Sequence, residues 1–70
     1  MTEARIKVNG VAEAVQTASI ATLLAARGID VQARGIAVAR NGAVVPRARW
    51  AETALADGDE IEIIKAISGG

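Results

Sequence analysis

Three features of the sequence predict an α+β fold, a small mixed sheet with one helix across it. Two Asn-Gly pairs, Asn9-Gly10 and Asn41-Gly42, each separate short apolar stretches. That is the strongest short hairpin signal, because a type I′ turn needs positive φ at both central residues. Between them, Ile20, Leu23 and Leu24 recur at helical spacing. Near the end, Glu60-Ile61-Glu62-Ile63 alternates with the period of a strand.

Bulk composition sets limits on function. Seventy residues make one domain near the lower size for folding without staples. Cysteine and histidine are both absent, so no disulfide, thiolate metal site or catalytic thiol is available. Apart from the N-terminal amine, nothing has an unperturbed pKa near neutrality, which argues against acid-base catalysis by the chain itself. Eight basic and eight acidic residues cancel, which argues against nucleic-acid binding. No apolar run approaches the roughly 20 residues of a membrane span, and Met1-Thr2-Glu3-Ala4-Arg5 does not read as a signal peptide. The expectation is a cytoplasmic domain with no membrane contact. Of its residues 16 are alanine and only Trp50 is aromatic, so the core must rest on Val, Ile and Leu.

The elements follow in order. Arg5-Ile6-Lys7-Val8 alternates as a half-buried strand, and Val11 to Val15 is its return. Glu13 shares a parity with Val11 and Val15, which predicts an edge position or a bulge. Ser19 is the candidate helix N-cap, with Thr17 competing. Arg27 suits the negative end of the helix, and Gly28 followed by Ile29 reads as a left-handed stop. Asp30 to Arg34 is a polar connection anchored by Val31. Gly35 to Arg40 is apolar on both faces, which suits an interior strand; Ala43-Val44-Val45 is its partner, ended by Pro46. Arg47 to Thr53 reads as a loop with one helical turn, Asp57-Gly58-Asp59 as a turn, and Glu60 to Ile64 as the last strand.

Each hairpin keeps its strands adjacent, and the apolar final strand needs a buried place between the two pairs. A strand order of 2-1-5-3-4, with strands 1 and 5 parallel, meets both demands and lets the helix cover one face. That is a β-grasp sheet. It implies a folded domain over residues 1–64 and a tail over 65–70. Six extended residues reach at most about 20 Å, enough to enter another protein's active site.

The tail ends in Ser68-Gly69-Gly70. Glycines lack a Cβ, so this strip of backbone can enter a passage closed to other residues, and a carboxylate on it is unhindered. The plainer reading is a frayed end finishing in glycine by chance. A nucleophilic Ser68 would lack any histidine base. Asp57, Asp59, Glu60 and Glu62 lack calcium-loop spacing and read as a solvated turn, though these carboxylates could meet basic surface on a partner. Trp50 reads as a plug on the sheet, and Arg40, Arg47 and Arg49 do not make a nucleic-acid patch around one aromatic. Ala37 and Ala39 would leave a flat small-residue face away from the helix, predicted to be a docking surface.

These residues also carry a family resemblance over essentially the whole chain. The run from Ile36 through Val44-Val45-Pro46-Arg47 to Trp50, the Asp57-Gly58-Asp59 turn and the final Gly69-Gly70 resemble the ubiquitin-like sulfur carriers of thiamine biosynthesis, the ThiS family. The last two motifs are shared with molybdopterin synthase small subunits and other ubiquitin-like carriers. The Val-Val-Pro-Arg to Trp50 segment favours the thiamine branch, with that subunit or another carrier as the alternative.

The resemblance implies that this chain is a co-substrate and not an enzyme, with no catalytic residues, metal or bound cofactor of its own. An ATP- and Mg²⁺-using, E1-like adenylyltransferase (ThiF type) would convert the Gly70 carboxylate to an acyl-adenylate. A persulfide-bearing sulfur donor would leave a Gly70 thiocarboxylate, and a thiazole synthase (ThiG type) would withdraw the sulfur. Ile67, Ser68 and Gly69 would enter the partner's active site, and the free protein would be a monomer. Without cysteine the chain cannot hold sulfur as its own persulfide, which leaves the terminal acyl group.

Overall fold

The computed structural model describes residues 3–16 and 19–65. In chain order it contains β1 (Ala4–Val8), β2 (Val11–Val15), α1 (Ile20–Ala26), β3 (Ile36–Arg40), β4 (Ala43–Val45), a 3₁₀ helix (Arg47–Glu52) and β5 (Glu60–Lys65). The sheet order is β2-β1-β5-β3-β4, as the sequence predicts. β1 and β5 run parallel, and the other neighbours are antiparallel.

Both hairpins turn on positive φ at both central residues, 51° and 84° at Asn9-Gly10 and 52° and 86° at Asn41-Gly42. This is the type I′ pattern, whose twist matches that of the strands. β2 is an edge strand in unbroken register with β1, so Glu13 sits opposite Ile6 without a bulge. The carboxylate's position is explained by Arg27, which donates to its Oε2 at 2.6 Å. Arg27 is thus tied across to β2 as well as lying at the end of the helix.

Helix α1 has only seven residues, too few to persist without its caps and the sheet. Ser19 Oγ accepts from the Thr22 N–H at 3.2 Å, while the Ser19 N–H donates to Thr22 Oγ1 at 3.1 Å. This reciprocal pair satisfies two donors at the helix start. At the other end Gly28 takes φ of 78°, letting the Gly28 N–H reach Ala25 O and the Ile29 N–H reach Leu24 O. That is a Schellman stop.

The buried face of α1 presents Ile20, Leu23 and Leu24 to Ile6 and Val8 of β1, Val38 of β3 and Ile61 of β5. Trp50 completes this cluster from the 3₁₀ helix, 2% exposed, with its indole N–H donating to Val45 O at 2.9 Å. It is a core plug. The expected single helical turn is six residues long, and the Ile20 N–H bonds to Thr53 O just beyond it. Arg47 stacks its guanidinium 4.9 Å from the Trp50 ring and donates to Val31 O and Ala33 O. The polar connection before β3 is therefore held by a side chain from the far side of the second hairpin.

β5 extends one residue past the expected end at Ile64, with Lys65 opposite Ile36. No helix among the described residues is long and apolar enough to cross a membrane.

Candidate functional site

The expected reactive end, Gly70, and the residues leading to it, Ile67, Ser68 and Gly69, lie outside the described residues. The strand that leads toward them, β5, is described as far as Lys65. β5 sits between β1 and β3, and its outer end points away from the turn that begins it.

Three polar side chains fix β5 in place. At its start, Asp59 is 5% exposed and accepts three hydrogen bonds. Its Oδ2 takes Arg40 Nε and the Ala56 N–H, each at 2.9 Å, and its Oδ1 takes Asn41 Nδ2 at 3.0 Å. Asn41 Oδ1 in turn accepts from the Glu60 N–H at 2.9 Å. Further along, Asn9 Oδ1 accepts from the Ile63 N–H at 2.8 Å, and Asn9 Nδ2 donates to Ile63 O at 3.3 Å. The two hairpin asparagines therefore serve their turns with the backbone and β5 with the side chain.

Asp59 corrects the expectation of a solvated turn. Burial pushes its carboxyl up, but the Ala56 N–H, the Arg40 and Asn41 side chains and the Arg40 charge outweigh burial and hold it below the usual aspartate value. Its oxygens are committed inside the fold, so it does not face a partner. Asp57 is exposed but also internally used, accepting the Arg5 N–H at 2.7 Å. Glu60 and Glu62 remain on the surface. Sequence reasoning missed the Asp59 hub because its partners lie 18 and 19 residues upstream. The signal available was the identity of the second turn: Asn41 beside Arg40 offers donors to a nearby carboxylate.

The arginines are likewise accounted for internally. Arg40 pairs with Asp59, Arg47 staples the loop before β3, and Arg49 lies 3.5 Å from Glu52. Trp50 has no exposed face for a ligand to stack upon.

The face of the sheet away from α1 is read from strand alternation. Ala37 stands opposite Ile64, Ala39 opposite Glu62, and Val44 opposite Ala39. Val44 is 74% exposed and Ile64 54% exposed, so this half of the face is an apolar strip on a floor of alanine. The other half is charged, with Lys7 directly opposite Glu60. An exposed apolar strip bordered by charge is suited to a protein partner.

A five-stranded mixed sheet crossed by one helix, with its last strand central and its end directed outward, defines the ubiquitin-like β-grasp class. Residues 3–70 match the ThiS family profile, and the chain belongs to that family. The crystal structure of the thiamine biosynthesis protein ThiS from Geobacter metallireducens superposes with a TM-score of 0.76 at 32% identity, over 94% of this chain and 99% of that one. The solution structure of a thiamine biosynthesis protein from the same organism gives 0.73 at 32% identity, over 94% and 87%. Among sequence relatives, the sulfur carrier protein ThiS of Escherichia coli is 40% identical over 42 residues, 60% of this chain and 64% of that protein. A thiazole synthase of Paramagnetospirillum magneticum is 40% identical over 52 residues, 74% of this chain but 15% of that protein.

Proposed function

We propose that this chain is a sulfur carrier for thiazole formation in thiamine biosynthesis, acting as a protein co-substrate. The observation that carries the reading is the central β5, clamped by Asn9 and Asn41, which makes a rigid base for the Ile67-Ser68-Gly69-Gly70 end. Family membership and the thiazole synthase relative support the pathway.

The Gly70 carboxylate is a poor electrophile. An E1-like, ATP- and Mg²⁺-dependent adenylyltransferase joins it to AMP with loss of pyrophosphate, which turns it into a good one. The terminal sulfur of a persulfide-bearing donor then displaces AMP to form an acyl disulfide. A second thiol cleaves its S–S bond, taking the donor sulfur into a disulfide and leaving a thiocarboxylate for a thiazole synthase to consume. Gly69 leaves room for the walls of the activating site. The Val44–Ile64 strip is the face that docks on these enzymes.

Intact-mass analysis after incubation with the adenylating enzyme, ATP and a sulfur donor tests the reading. One terminal oxygen should be exchanged for sulfur, and deletion of Gly70 should abolish the change. Gly69→Val should fold normally yet resist adenylation. An unchanged mass, or equal charging of the truncated chain, refutes the carrier role. Sulfur transfer to a molybdopterin synthase large subunit, and not to thiazole synthase, refutes the branch.

A further inference from the structure

β5 outruns its parallel neighbour. β1 ends at Val8, opposite Ile61, and the Asn9-Gly10 turn then leads the chain away, while β5 continues to Lys65. Alternate residues of β5 turn their main-chain groups toward this side: Ile61 O accepts the Asn9 N–H at 2.9 Å, and Ile63 is held by the Asn9 side chain. Lys65 belongs to the same set, and on this side its N–H and C=O meet no strand among the described residues.

A cleft of about 280 Å³ opens there, lined by Asn9, Arg27, Ile29, Ile63 and Lys65. Its lining holds two cations and no acid. Glu13 already offsets the charge of Arg27, whereas Lys65 has no ion-pair partner among the described residues. Ile29 and Ile63 give it an apolar wall.

We propose that this notch binds an extended, acidic segment of a partner protein by strand addition. The segment's main chain bonds to Lys65, its apolar side chains rest on Ile29 and Ile63, and its carboxylates meet Lys65 and the outer side of Arg27. Main-chain bonding supplies a register and alternate side chains supply selectivity. Asn9 closes the notch at its inner end, because its amide already occupies the rung at Ile63. The occupant is acidic on grounds of charge complementarity, and it is distinct from whatever covers the Val44–Ile64 strip on the opposite face.

The test needs no sulfur chemistry, so its outcome is independent of the carrier reading. Amide chemical shifts of the full chain are followed on titration with a capped Val-Glu-Val-Asp-Val peptide, and with the same peptide carrying lysine for each acid. The acidic peptide should give saturable shifts centred on Asn9, Ile63 and Lys65. Lys65→Glu should weaken binding about fivefold or more without lowering the melting temperature, as expected for reversal of one exposed charge. Alternate main-chain N-methylation of the peptide should abolish binding. Equal binding of the lysine peptide, shifts centred instead on Val44 and Ala37, retained binding of the N-methylated peptide or no saturation overturns the proposal.

Discussion

Asp59 shows what one buried carboxylate does for a domain of this size. Its three donors satisfy it at the point where the second hairpin, the turn before β5 and β5 itself meet. Because its folded pKa lies below the unfolded value, its contribution is present above the ordinary aspartate range and lost as pH falls through the folded value. Urea unfolding midpoints should therefore hold steady from neutrality to about pH 5 and fall below about pH 4. Asp59→Asn should flatten that acid limb. At neutral pH the same variant should cost about 2 kcal/mol, because its amide must face a donor where the carboxylate accepted one. A melting temperature lowered by roughly 10 °C is the corresponding reading. An unaltered acid limb in the variant would mean that other carboxylates set it.

The elements differ in how far local sequence determines them. The hairpins are legible because Asn-Gly fixes a turn within two residues, and both take the φ values that the pair allows. The helix stop is equally local. Gly28 stands in open space, so a methyl group there meets no neighbour, but its φ of 78° disfavours any side chain. Gly28→Ala should accordingly cost about 1 kcal/mol in thermal unfolding. A cost near zero would show that the helix can end another way. The long-range fastenings were not legible. Arg47 reaches Val31 and Ala33, and Asn9 reaches Ile63 54 residues away, pairings that exist only once the sheet has formed. Glu13 illustrates the same limit: its parity marked an edge strand correctly, but nothing local pointed to Arg27. The strand order was recoverable because so few arrangements give an apolar last strand two neighbours. The reactive role of Gly70 rests on the sequence alone, and Gly70 lies outside the described residues.

At the scale of the molecule, the two faces of the sheet have separate duties. One carries the helix and nearly all the buried apolar side chains. The other presents Val44, Ile64 and the alanines between them. Val44→Glu places a charge on that strip at a site already 74% exposed, so the fold should be retained within about 0.5 kcal/mol. Binding to the proposed adenylating partner, measured by calorimetry, should weaken roughly tenfold or more, since a centrally desolvated charge lacks a partner. Unchanged affinity would move the docking surface elsewhere.

The position of β5 also decides how the body answers a pull on its end. Traction along this strand is shared at once by the rungs to β1 and to β3, with the Asn9 and Asn41 amides as added ties. Such a load shears many bonds together, where an edge strand would peel away rung by rung. For the carrier role proposed above, such a body is expected to stay folded when it is drawn by its terminus from one partner to the next.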